Sequence, residues 1–231
     1  EKRCLTTLEG MRVDAIVISP TAYNEDHLQR LNAAGITTLL LDRRPIHYDL
    51  PSISSNKIEG FYRLTEHLFQ LGHRKFAFAT SDANISSNLD RYTGITKFFE
   101  EQNLPLENLF CFYDTYSEES GYKVAEKIMS TPKASRPTAF LAGSSSIAIG
   151  ALRYCKEHGL AVPDELSIVG IGNLGIPDLM LYNLTHMDDA CDAITARLTE
   201  VLFNLLNEYD TYSFPIVLPT DIVYGNTSGV I

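Results

Sequence analysis

Apolar residues fall along this chain in two alternating rhythms, short unbroken runs and longer stretches with an apolar position every third or fourth residue. The stretch Pro137 to Gly175 shows both. Thr138 to Ala142 form a short run; after Gly143 and three serines, Ile147, Ala148, Ala151, Leu152 and Cys155 fall on one helical stripe. Gly159 and Pro163 stop that helix, and Leu166 to Ile171 form a second run rich in branched residues. Strand, helix and strand in this order predict a crossover between parallel strands. Ligands of open parallel sheets sit beyond the carboxyl ends of the strands, here the serines at 144–146 and Gly172-Asn173-Leu174.

The same alternation runs through the rest. Residues 1–10 read as the last turns of a helix and Val13 to Ser19 as a strand. A helix capped by Asn24 runs to Gly35, and Ile36 to Asp42 are a strand. Arg43 to Pro51 read as a loop, Ser52 to Ser54 as a short strand, and Asn56 to Leu71 as a helix with Phe61, Leu64, Leu68 and Phe69 inward. Strands follow at Lys75 to Thr80 and near Leu109 to Phe112, and helices at about Asn88 to Gln102 and Glu118 to Met129. Asp188 to Asn207 form a long amphipathic helix with Ile194, Leu198, Val201, Leu202 and Leu205 on its buried stripe, and Phe214 to Tyr224 are extended. The predicted class is α/β with parallel sheets.

Composition narrows this little. In 231 residues, 45% hydrophobic, no apolar run reaches the ~20 residues of a membrane span. A net charge of -10 argues against this module gripping a phosphate backbone by itself. Cys4, Cys111, Cys155 and Cys191 form no CxxC pair and read as reduced core thiols of a cytoplasmic protein. Cys155 and His158 lie three apart on one helix, but a metal needs two further ligands and none is near in sequence.

Catalytic patterns are sparse. Gly170 to Gly175 fit G-x-G-x-x-G, the fingerprint of a dinucleotide-dependent enzyme. The match comes late in the chain, no long helix reads after it, and no acidic strand end follows at the right distance. Ser144 to Ser146 lack a G-x-S-x-G setting, and the six histidines form no HExxH. No enzyme activity, cofactor or metal is expected. His73, which separates two strand-helix groups, reads as a structural residue bonding the backbone between them.

Four phrases in register resemble the effector-binding core of the LacI/GalR family of bacterial transcription regulators: EHLFQLGHRKFAFAT (66–80), RYTGITKFFEEQNL (91–104), PTAFLAGSSSIAIGALRYCKEHGLAVPDELSIVGI (137–171) and LPTDIVYGNTSG (218–229). They are similar to the family's GHR turn, its Arg-x-x-Gly helix start, and its PTA-strand, AxGA-helix, VPxDxSxVG unit, with Glu165 where the last Asp is usual. The resemblance implies a periplasmic-binding-protein-like fold of two lobes, each a parallel sheet flanked by helices. Residues 1–73 and 188–219 would form the N-terminal lobe, and 74–187 and 220–231 the C-terminal lobe. It also implies a repressor that binds a sugar, sugar phosphate or similar metabolite between the lobes and acts as a homodimer. The family's helix-turn-helix headpiece, hinge and first strand-helix unit do not precede Glu1, so the chain reads as starting inside the fold, with operator DNA contacted only through a headpiece outside it. A solute-binding protein of a sugar transport system shares the fold and is the alternative.

Six residues are carried over as ligand contacts. Arg91 matches the family arginine at the start of the second-lobe helix, and Ser87 and Tyr116 fall where members place a small polar contact and an aromatic against a sugar face. Ser144, Asn173 and Ser55 fall in segments where the family commonly carries clamping amides or acids. The chain has Ser144-Ser145 for Asn-Asp, Gly172 then Asn173 where an Asp is usual, and Ser55 before Asn56 for an acid. A pocket less acidic than usual points to a phosphorylated or otherwise atypical sugar, or another small metabolite.

Overall fold

The structure, a computed structural model, describes residues 1–172, 181–207 and 212–231. In chain order the helices are α1 (Lys2–Met11), α2 (Glu25–Ala33), α3 (Lys57–Gln70), α4 (Ser86–Glu101), α5 (Glu118–Ser130), α6 (Ser145–Glu157) and α7 (Cys191–Asn207). The strands are β1 (Ala15–Ile18), β2 (Thr37–Leu41), β3 (Ser52–Ser55), β4 (Phe76–Thr80), β5 (Leu109–Tyr113), β6 (Ala139–Ala142), β7 (Ser167–Ile171), β8 (Thr185–Met187), β9 (Ile216–Leu218) and β10 (Ile222–Val223). They form two sheets in two compact units. The first unit comprises 1–56, 84–87 and 190–219, and the second 57–83, 88–189 and 220–231.

In the first unit β1, β2, β3 and β9 run parallel in that order. Side chains alternate across a strand, so neighbours in β2 serve opposite faces. Leu40 joins Leu5, Leu28 and Leu31 beneath α1 and α2, while Leu39 joins Ile53, Ile194 and Val201 beneath α7. Asn24 precedes α2, but its amide donates to Thr21 Oγ1 instead of capping the helix.

The second unit holds β10-β8-β7-β6-β4-β5, parallel except for β10. Its central strands are buried on both faces, which is why they read as unbroken apolar runs. Phe76, Phe78, Leu141 and Val169 face α3 and α4, and Ala77, Ala79, Phe140 and Ile168 face α5 and α6. Small side chains suit the second face, where α5 and α6 touch backbone to backbone. A Cβ on Gly121 would collide with the carbonyl of Ile147, and one on Gly150 with that of Glu118. Gly94 plays the same part between α4 and Ile58 of α3, which gives the Arg-x-x-Gly spacing a packing reason.

Some expectations change. Residues 57–73, expected in the first lobe, group with the second unit because the apolar face of α3 packs on its sheet beside Phe76 and Phe78. The extended stretch Phe214 to Tyr224 is two strands, β9 in the first sheet and β10 in the second. Strand β8 had no sequence signal at three residues. His73 is fully buried and bonds Thr138 Oγ1 (2.9 Å), Ser167 Oγ (3.1 Å) and the Gly229 carbonyl (3.2 Å), all within the second unit and not between lobes. Cys155 is buried, its thiol pushed up to about 12 by desolvation, and Cys111 is half-buried. Cys4 and Cys191 are exposed, against the expectation of core thiols, because each lies on the outer face of an amphipathic helix. His158 stacks on Tyr154 at 4.1 Å between centroids. Among the described residues no group of His, Cys, Asp or Glu could hold a metal ion, and no helix is long and apolar enough to cross a membrane.

Candidate functional site

Chain order across the second sheet creates a switch point. From β4 the chain crosses by α4 to β5 on one side, then returns by α5 to β6 on the other, so the crossovers leave the carboxyl ends of β4 and β6 on opposite faces. A crevice opens at such a point in parallel sheets. The residues that follow β4, β5 and β6 are therefore brought to one edge.

Thr80 ends β4, and its Oγ1 donates to Asn88 Oδ1 at 2.8 Å. Asn88, on the first turns of α4, is 1% exposed and donates through Nδ2 to Ser81 Oγ (2.9 Å) and the Asp82 carbonyl (2.7 Å). Three residues on, Arg91 is 5% exposed and donates through Nη1 to Asn88 Oδ1 (2.8 Å) and Tyr116 Oη (3.1 Å). The i, i+3 spacing puts both side chains on one helix face. Tyr116, in the turn after β5, also donates to Asn88 Oδ1 and lies 3.2 Å from Thr80 Oγ1. Phe61 of α3 presents its ring 5.9 Å from the Arg91 guanidinium carbon. Across the switch point Gly143 donates its N–H to the Ala79 carbonyl at 2.7 Å, and a Cβ there would press on Thr80 Oγ1 at 2.8 Å. Ser144 then caps α6, accepting from the Ile147 N–H at 3.3 Å.

Of the six residues carried over, the structure joins Arg91 and Tyr116 directly and puts Ser144 at the neighbouring strand end. Ser87 is buried as the second residue of α4. Ser55 ends β3, buried in the first unit. Asn173, with most of the G-x-G-x-x-G stretch, lies outside the described residues. Sequence reasoning missed Thr80, Ser81 and above all Asn88. The only available signal was Asn88 standing one helical turn before Arg91. Chemically the cluster is rich in donors and holds a guanidinium, so it suits hydroxyls, carbonyls or oxyanions.

Two parallel α/β units, with polar side chains gathered at the switch point of one sheet, define the class of periplasmic-binding-type folds. The chain belongs to the periplasmic binding protein-like domain family, whose pattern matches residues 65–228. Curated relatives include the HTH-type transcriptional repressor PurR of Actinobacillus pleuropneumoniae, 29% identical over 170 residues (74% of this chain, 50% of that protein). PurR of Mannheimia succiniciproducens is 25% identical over 223 residues (96% and 66%). The chain thus spans about half to two thirds of the curated relatives it matches. Solved structures of the same fold include the transcription regulator CcpA of Lactococcus lactis (TM-score 0.88, 21% identity, 98% of this chain, 82% of that one). A LacI family regulator from Enterococcus faecium, solved with bound ribose, superposes at TM-score 0.87 (20% identity, 99% and 84%). The relatives are named as regulators, not as enzymes.

Proposed function

We propose that this chain is the effector-binding and dimerisation region of a cytoplasmic LacI-type repressor, and that a sugar, sugar phosphate or similar small metabolite is received at the carboxyl edge of the second sheet. Arg91 and Tyr116 would contact the effector there, with Ser87 on the first turn of α4 and Ser144 at the start of α6. The effector favours one of two conformations, and a DNA-binding headpiece outside this chain reads the result; the size of the response is limited by the effector's differential affinity for the two states. The observation that carries the reading is the buried Arg91–Asn88–Tyr116 network at the switch point. Family membership and relatives named as repressors support the regulatory context.

Thermal melting against sugars, sugar phosphates, nucleosides and NAD tests it. A ligand at a hundred times its Kd adds about 2.7 kcal/mol, which for a chain of this size raises Tm by roughly 5–10 °C. Such a shift with a sugar-type ligand, lost in Arg91→Ala, is expected; a shift with NAD alone, or with nothing, refutes the reading.

A further inference from the structure

Donors and acceptors in a buried polar cluster balance when the cluster is complete by itself, and the one around Asn88 does not balance. Asn88 Oδ1, an amide oxygen with two lone pairs, is approached by three donors: Thr80 Oγ1, Arg91 Nη1 and the Tyr116 hydroxyl. Arg91 fares worse. Its Nε is buried without a partner, and among the described residues nothing accepts from its Nη2 and no carboxylate pairs with it. Its neighbours are an amide, a phenol and the Phe61 ring, all neutral. A guanidinium taken out of water without an anion is destabilising, and the unused Nε–Nη2 edge is the one that takes an oxyanion in two parallel hydrogen bonds.

We propose that the effector presents an oxyanion, a phosphate or a carboxylate, to the Nε–Nη2 edge of Arg91, and that Asn88 is the positioning residue that aims this edge. The proposal rests on the effector reading above and narrows its ligand class. Asn88 has the rigidity for the task, because its Nδ2 is held by Ser81 Oγ and the Asp82 carbonyl, so its Oδ1 stays on Nη1 and leaves the Nε of the opposite edge without a partner. A neutral sugar hydroxyl would bring another donor with each acceptor into a cluster already short of acceptors. An oxyanion brings acceptors alone.

Calorimetric titration of the 231-residue chain with ribose 5-phosphate, glucose 6-phosphate and glucuronate, each beside ribose or glucose as its neutral parent, tests this. At least one oxyanion ligand is expected to bind about 10-fold or more tightly than its parent, and the phosphate and glucuronate arms tell which oxyanion is meant. In Asn88→Asp the new carboxylate pairs with Arg91, so that ligand should weaken roughly 100-fold and lose its preference over the neutral parent. Should that variant not fold, Ser81→Ala loosens the Asn88 amide without touching Arg91 and should weaken the oxyanion ligand about 3- to 10-fold. Neutral parents that bind as tightly as their phosphates and acids overturn the oxyanion while the effector reading stands. Oxyanion binding unchanged in the Asn88 and Ser81 variants overturns the positioning role. No binding by any ligand, charged or neutral, overturns the effector reading itself and the inference with it.

Discussion

His73 shows what a single residue can set in this fold. Desolvation lowers its pKa from the usual 6.5 to about 4, against a weaker opposing pull from the Gly229 carbonyl. Burial also lowers the pKa of His67, which bonds Ser228 at 2.9 Å on the same terminal segment. A depressed folded pKa means that the unfolded chain takes up the proton first, so the stability contributed by neutral His73 is complete above pH 6.5. It falls as pH drops from about 6.5 toward 4 and levels off below that, a loss of roughly 3 kcal/mol. Denaturant melts at pH 7, 5.5 and 4.5 should therefore show a steeper acid loss for the native chain than for His73→Asn, which does not titrate. Equal slopes would mean that carboxylates alone govern the acid limb. Arg91 poses the opposite case, a charge kept buried beside neutral partners at the site.

At the scale of elements, the second sheet depends on how closely its helices approach. Gly150 of α6 lies against the Glu118 carbonyl and Gly121 of α5 against that of Ile147, so backbone fills the space where side chains normally sit. Gly150→Ala must push two backbones apart, and overpacking of this kind costs about 1–3 kcal/mol, or roughly 2–12 °C in Tm for a chain of this length. Differential scanning calorimetry reads the shift. Gly10 meets nothing within 4 Å, so Gly10→Ala on α1 should hold or slightly raise Tm, since Ala favours helix over Gly. The helix most exposed to misassignment was α3, whose apolar stripe was legible while its destination was not.

Across the whole molecule, the two units carry separate hydrophobic clusters: those beneath α1, α2 and α7 in the first, and the larger pair flanking β4, β6 and β7 in the second. Amides of β4, β6 and β7, buried on both faces, should be the slowest to exchange hydrogen, and those of the edge strands β1 and β9 among the fastest. Exchange followed by mass spectrometry checks this order. Equal protection in β1 and β6 would contradict it. The net charge of -10 argues against this chain gripping a phosphate backbone by itself, in keeping with the proposed regulator.

What the sequence determined by itself was local and periodic. Apolar runs in β2, β4, β6 and β7 announced parallel strands because both faces of such strands are buried, and the stripes of α3, α4 and α6 announced their inner faces. The phrases around Gly72, Arg91 and Pro163 carried the family, since each reflects a turn or close approach with few residue solutions. Tertiary structure alone decided where those pieces go: α3 on the second sheet, the stretch 214–224 split into β9 and β10, and His73 inside one unit. It also placed Asn88 at the centre of the site. Strands of two or three residues have too few positions for a period, and a helix's stripe records that it is buried without recording by what. The bond from Asn88 to Tyr116 joins residues 28 apart, and a contact of that span exists only once two strands and the helix between them have folded together.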